Sequence, residues 1–186
     1  MGKLLLITGD LATGKSTFAR ILASRYRTNV FCKDVLKETL GDTIGFSNRE
    51  ENLKLSVASA ALMRMIFLEF SALNKNLILE SNFRQAELDT LYKMAQECGY
   101  DVMTVRIRGD LRILHRRFLH RLNHEDRHDV HACGGFEEFD AFCRYVTGQR
   151  DLTISGKSIH LCADTFDYQQ NPEVLAQLDD FMEVQK

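Results

Sequence analysis

Two short segments of the sequence carry residues that could do chemistry. Residues 9–17 read GDLATGKST, which matches the pattern G-x-x-x-x-G-K-[ST] of a phosphate-binding loop. Residues 124–128 read HEDRH, which matches the H-E-x-x-H pattern of zinc peptidases. The first pattern predicts a nucleotide as ligand and the second predicts a metal-bound water, so the two imply unrelated reactions.

The phosphate-loop pattern is complete, and each fixed position has a physical reason. Glycines let backbone N–H groups approach phosphate oxygens, and a helix beginning near Gly14 directs its positive end at the same oxygens. Lys15 adds a charge for the β- and γ-phosphates, and the hydroxyl of Ser16 suits Mg²⁺. The alternative is an ordinary strand–helix turn, which the apolar strand before the loop and the amphipathic helix after it disfavour. The predicted ATP-binding residues of this loop are Gly9, Asp10, Leu11, Ala12, Thr13, Gly14, Lys15, Ser16 and Thr17.

The zinc pattern lies in a segment of unsuitable composition. His124 and His128 are spaced so that one helix would align them, with Glu125 as a base. The stretch HEDRHDVH is polar on all sides, however, whereas a zinc-peptidase helix packs in a core, and position 134 is Gly where a third ligand would be needed. The pattern alone leaves open whether the histidines of residues 120–131 bind a metal or an anionic substrate.

An alternation of strands and helices positions these segments. Short apolar runs predict β-strands at residues 3–8, 29–34, 76–81, 101–109 and 157–164. Helices are predicted at residues 14–26, 35–42, 48–73, 84–99, 110–123, 136–148 and 171–184. Gly41 is expected to close the second of these helices and Asn48 to cap the third. The order predicts a single α/β domain over residues 1–186, with an open, mostly parallel five-stranded sheet and helices on both faces.

The loop, the short α/β chain and an arginine-rich segment late in the sequence together resemble the small P-loop kinases. Among these the chain is most similar to the group of polynucleotide kinase, chloramphenicol phosphotransferase and zeta-toxin-type kinases. The resemblance implies the P-loop NTPase fold with a helical lid at about residues 112–136. It also implies the activity of a Mg²⁺-dependent kinase, which transfers the γ-phosphoryl group of ATP to a hydroxyl of a small-molecule or nucleotide-like substrate.

The same resemblance assigns roles to two residues at the ends of predicted strands, and Asn82 lies next to one of them. Asp34 matches the carboxylate that accepts the proton of the substrate hydroxyl, although it could instead cap the next helix. Glu80 matches an acid near the magnesium shell and is equally suited to contact the substrate. Asn82 could orient the substrate or cap the helix expected to begin at Arg84.

Residues 106–131 contain seven arginines and four acids, a local excess of positive charge. In the resembled kinases such arginines stabilise the migrating phosphoryl group, and Arg117 and Arg121 match their R-x-x-x-R spacing. Arg112 could stack on the adenine, and Arg127 could reach the substrate. The alternative is a solvated helix face with surface salt bridges.

Composition limits the partners. The net charge of -2 disfavours long nucleic-acid ligands, and the scattered, odd number of cysteines predicts reduced thiols in the cytoplasm. The N-terminal apolar run, Leu4 to Ile7, is too short to span a membrane, so no membrane partner is expected. Two alternative functions stay open: a nucleotide-binding switch or NTPase without an acceptor, and a polynucleotide 5′-hydroxyl kinase. The acceptor and the oligomeric state cannot be read from the sequence.

Overall fold

This computed structural model describes residues 1–124 and 128–183. Its sheet has the predicted architecture. Its five strands are all parallel and lie in the order β2-β3-β1-β4-β5. Their bounds are β1 Lys3–Gly9, β2 Asn29–Cys32, β3 Leu77–Glu80, β4 Asp101–Arg108 and β5 Lys157–Cys162. The carboxyl ends of β1, β2 and β3 are neighbours, which brings the residues after them to one edge of the sheet.

Seven α-helices connect the strands within the described residues. Their bounds are α1 Lys15–Tyr26, α2 Lys33–Ile44, α3 Arg49–Ala72, α4 Gln85–Glu97, α5 Leu111–His124, α6 Phe139–Gly148 and α7 Pro172–Met182. Two short 3-10 helices cover Asp129–Gly134 and Asp167–Gln169. The side chain of Asn48 accepts a hydrogen bond from the N–H of Glu51 at 3.0 Å, which confirms Asn48 as the cap of α3.

The segment after β2 differs from its prediction. The strand ends at Cys32 and α2 begins at Lys33, so Asp34 lies in the first turn of the helix and does not cap it. The predicted stop at Gly41 is also wrong, because α2 continues to Ile44 and ends at Gly45, whose φ is 77°. Gly41 is instead a buried residue within α2, and its lack of a side chain leaves a notch in the surface of the helix.

Helices cover both faces of the sheet, as predicted. On one face, α1 and α7 bury Phe18, Leu22 and Leu178 against alternate residues of β1 and β4. On the other face, α3 and α4 bury Phe67 and Leu88 against the remaining strand residues. Apolar side chains of the strands are therefore buried on both sides, as parallel sheets require.

Helix α5, which lies within the lid predicted at about residues 112–136, shares a small apolar core with α6. Leu114 and Phe118 of α5 pack on Phe142 and Val146 of α6. Leu11 of the phosphate loop packs against this cluster, so the two helices lie beside the loop.

Residues 128–131 are fixed to α2 and α3. Val130 is 2% exposed, and its carbonyl accepts hydrogen bonds from Lys37 at 3.1 Å and from Asn52 at 3.0 Å. The Val130 side chain fills the notch at Gly41, where a Cβ would lie 2.5 Å from Val130 Cγ1. The next residue, His131, contacts Glu38 of α2, with 2.8 Å between His131 Nε2 and Glu38 Oε1.

Replacing Gly41 should therefore disturb this packing more than it helps the helix. Gly41→Ala should lower the free energy of unfolding by about 1–3 kcal/mol, because overpacking outweighs the gain in helix propensity. Gly148→Ala is the matched control, since a Cβ there meets nothing within 4 Å and the residue is also helical. Urea unfolding curves of both variants test this, and equal stability of the two would contradict the packing.

Candidate active site

The loop between β1 and α1 has the geometry of a phosphate cradle. Gly9 has a φ of 144°, and a Cβ there would lie 1.9 Å from the carbonyl oxygen of Ile107 on β4, so only glycine fits. Gly14, with a φ of 83°, leads into α1, whose first N–H groups have no intrahelical partner. These donors and the helix dipole face the same point, where an anion would be stabilised.

Lys15 and Ser16 are the first two residues of α1 and lie beside the loop. Lys15 is 9% exposed, and its ammonium group donates to the carbonyl of Asp10 at 3.0 Å, across the mouth of the loop. The hydroxyl of Ser16 donates to Glu80 Oε2 at 2.9 Å. This hydrogen bond joins the start of α1 to the end of β3.

Glu80 is a buried carboxylate in a cluster of mixed charge. Burial has the largest effect and raises the pKa of its carboxyl, whereas nearby Lys15 and the hydrogen bond from Ser16 lower that pKa. Asp34 raises it further. A carboxylate held this way would gain from a bound cation, so Glu80 and Ser16 fit the chemistry of a Mg²⁺ site.

A cleft of about 630 Å³ opens over the loop and contains most of the predicted residues. Lys15, Ser16, Asp34, Arg117 and Arg121 all line it. Further lining residues, which the sequence did not single out for this role, are Arg20, Val35, Glu38, Phe118 and Phe166. The cleft therefore joins the phosphate loop to the start of α2, where Asp34 lies.

Arg117 is held at the side of the cleft formed by the segment after β5. Its guanidinium group donates to the carbonyls of Ala163 and Asp164, the second at 2.8 Å, and lies 4.1 Å from the ring centre of Phe166. Phe166 in turn abuts Gly14, where a Cβ would lie 2.8 Å from its ring. In this conformation Arg117 fixes a cationic and aromatic wall beside the loop, while Arg121 lies one helical turn further along the cleft.

The described lining of this cleft includes neither Arg112 nor Asn82, which the sequence predicts in the site. Arg112 lies in a shallow depression with His115 and Phe139, so the predicted contact of Arg112 with adenine has no support from its position. Asn82 does not cap α4, because Arg84 is the cap. The Oδ1 atom of Asn82 is buried and has no hydrogen-bond partner among the residues that the structure describes. Arg127 lies outside the described residues.

Arg150 is a structural residue of the site that the sequence did not reveal. Its guanidinium group pairs with the carboxylate of Asp10 at 2.5 Å and donates to the carbonyl of Gly109 at 2.6 Å. The Asp10 side chain is only 3% exposed, so it faces Arg150 and only its backbone can belong to the phosphate cradle. No motif contains Arg150, because the contact joins residues 140 positions apart.

The histidines do not form the zinc site that HEDRH suggests. His124 is the last residue of α5 and its ring stacks on His120, whereas His128 lies in a separate segment and contacts Asp42 at 2.9 Å. Glu125 is outside the described residues. Across residues 1–124 and 128–183, no three His, Cys, Asp or Glu side chains are grouped to hold a metal.

Known structures share this fold. The chain is 23% identical to a candidate kinase from Chloroflexus aurantiacus J-10-fl, with a TM-score of 0.84 over 99% of both chains. It is 15% identical to a gluconokinase from Sinorhizobium meliloti 1021, with a TM-score of 0.63 over 98% of this chain and 94% of the other. Kti12 from Chaetomium thermophilum in complex with ADP-AlF3 is 16% identical, with a TM-score of 0.61 over 96% and 98%.

These likenesses show that the chain has the P-loop kinase fold, as the sequence predicts. They do not distinguish the narrower group of polynucleotide kinase, chloramphenicol phosphotransferase and zeta-toxin-type kinases, which stays a prediction. The sequence matches no protein-family model, and no curated protein is similar enough to match it.

The pair of Asp10 and Arg150 gives a prediction about stability. Arg150→Met should lower the free energy of unfolding by about 3 kcal/mol, because it leaves a buried carboxylate without its cation. Adding Asp10→Asn should recover part of this loss, since the amide carries no charge. Lys93→Met, which removes an exposed pair with Glu97, is the control and should change stability by only about 0.5 kcal/mol. Urea unfolding gives the free energy of unfolding of the wild type and of the three variants. A double variant no more stable than Arg150→Met would count against the pair.

Glu80 gives a prediction about pH. Because its pKa is raised in the folded protein, the folded state loses stability as the pH rises from below about 4.3 through that pKa. Glu80→Gln stays neutral and can still accept from Ser16, so it should be more stable than the wild type at pH 7 and lose this advantage near pH 4. Unfolding free energies across this range, without Mg²⁺, test the sign. A wild type more stable than the variant at pH 7 would mean that the carboxylate stabilises the fold.

Proposed function

We propose that this protein is a Mg²⁺-dependent kinase that transfers the γ-phosphoryl group of ATP to a hydroxyl of a small-molecule or nucleotide-like substrate. The observation that carries the proposal is that Asp34 lines the same cleft as Lys15 and Ser16. A phosphate cradle alone would suit any nucleotide-binding protein, whereas a carboxylate beside it suits the activation of an acceptor. The fold shared with a gluconokinase supports this choice.

The nucleotide side of the cleft is proposed to use the loop and its neighbours. Backbone N–H groups of residues 11–16 and the ammonium group of Lys15 hold the phosphates. Ser16 and Glu80 hold Mg²⁺, which supplies charge neutralisation for the β- and γ-phosphates. Arg117 and Phe166 form the wall next to Gly14, and this wall suits the nucleoside part of ATP.

On the acceptor side, Asp34 is proposed to accept the proton of the substrate hydroxyl. The hydroxyl oxygen then bonds to the γ-phosphorus while the bond from that phosphorus to the β–γ bridging oxygen breaks, and ADP leaves. Lys15 and Arg121 stabilise the charge that spreads over the phosphoryl oxygens. Asn82, whose buried Oδ1 atom has no partner, remains a proposed substrate contact from the neighbouring strand end.

The size of the cleft favours a small acceptor. Its volume of 630 Å³ lies within the usual range of pockets for small molecules and cofactors. His128 and His131, which contact Asp42 and Glu38 of α2, line the cleft together with Asp34.

A panel of hydroxyl-bearing metabolites scored for ATP consumption tests the proposal. Lys15→Ala should lose activity on every acceptor, because the phosphates lose their positive charge. Asp34→Asn should lower kcat by about 10²- to 10⁴-fold with little change in nucleotide affinity, since it removes only the base. Asp89→Asn, an exposed change on α4, is the control and should leave the rate unchanged.

The two variants separate a kinase from a nucleotide switch. A switch that hydrolyses ATP without an acceptor would keep its turnover in Asp34→Asn and lose it in Lys15→Ala. That outcome would refute acceptor phosphorylation and leave the nucleotide site intact.

A further inference from the structure

The outer face of α3 exposes an apolar stripe. Its large members are Leu53, Val57, Met65 and Leu68, which are 47%, 69%, 52% and 48% exposed. Together with exposed Ala61, which lies between Val57 and Met65, they recur every three or four residues. They therefore lie on one side of the helix with Ala61 at the centre. The opposite side of α3 is the one that packs on the sheet, so the stripe is not part of the core.

A bilayer is a poor occupant for this stripe. The 24-residue helix is long and apolar enough to cross a membrane by length and composition alone. Glu50 and Lys54 lie within the exposed face, however, where they form an ion pair at 3.0 Å. Insertion would bury both charges, whereas a protein partner would leave them at the rim of the contact.

The side chains of the stripe are arranged symmetrically about Ala61. Val57 and Met65 lie four residues before and after it. Lys54 precedes Ala61 by seven residues and Glu69 follows it by eight. An antiparallel second copy of α3 would therefore place Val57 against Met65 of that copy, and Lys54 beside Glu69 of that copy. A parallel copy would oppose Lys54 to Lys54 and Glu69 to Glu69, which is unfavourable.

We infer that this face is the interface of a two-fold dimer of the chain, formed by two α3 helices packed antiparallel about Ala61. The small side chain at the axis lets the helices approach to about 8–10 Å. The contact is isologous, so each surface residue is used twice. A single helix pair buries less than the roughly 800 Å² per partner of a standard interface, so the dissociation constant is expected on the order of micromolar.

Sedimentation of the full chain over a range of concentrations tests the dimer. Ala61→Arg should raise the dissociation constant at least about tenfold, because two guanidinium groups would meet at the axis. Ile21→Arg on α1 is the control, since Ile21 is also an exposed apolar residue, at 41%, and lies outside the stripe.

A charge exchange tests the register. Lys54→Glu and Glu69→Lys should each weaken the dimer, and the double variant should restore it, because the two charges meet only in the antiparallel pair. Circular dichroism establishes that each variant is folded. Neither variant touches the proposed kinase cleft, so a failure of the dimer proposal can be distinguished from a failure of the kinase proposal.

Three outcomes would overturn the inference. The first is a wild type that stays monomeric up to about 500 µM, far above the expected dissociation constant. The second is a dimer that Ala61→Arg does not weaken. The third is binding of the monomer to phosphatidylcholine vesicles that Ala61→Arg abolishes, which would assign the face to a membrane.

Discussion

The close approach of the phosphate loop to the end of β4 is the constraint on which the site depends. Gly9 passes so near to the carbonyl of Ile107 that no side chain fits, and the N–H of Asp10 bonds to that carbonyl at 2.9 Å. The Asp10 carboxylate then binds both Arg150 and the N–H of Gly109. The loop is therefore tied to β4 before any ligand arrives, so its donors need little reorganisation to meet a phosphate.

The buried carboxylate of Glu80 gives the site a negative charge and lowers the stability of the folded protein. Glu80 is 2% exposed, beside a second carboxylate, and the raised pKa of Glu80 records the cost of keeping it charged there. The same environment favours a bound divalent cation and the Lys15 ammonium group. A residue selected only for stability would be neutral at this position, so the carboxylate is best understood as serving the ligand.

How much the sequence could predict depended on the range of the interactions involved. The phosphate loop, the five strands and the cap at Asn48 follow from neighbours in the chain, and the structure agrees with them. The stop at Gly41 was predicted wrongly because its reason is tertiary: the glycine makes room for Val130, almost ninety residues later. Arg150 carried no local signal for the same reason.

The acceptor side of the cleft shows why the substrate is harder to read than the nucleotide. Its far wall is built when residues 128–131 dock on α2, through Val130 in the Gly41 notch and His131 on Glu38. Asn52 of α3 holds the Val130 carbonyl from behind, so the helix that carries the exposed apolar stripe also supports this wall. A dimer through α3 would thus brace the acceptor wall without touching the phosphate loop. The proposed nucleotide recognition rests on one local motif, whereas the proposed acceptor recognition rests on contacts among three distant segments, and these can vary without altering the loop.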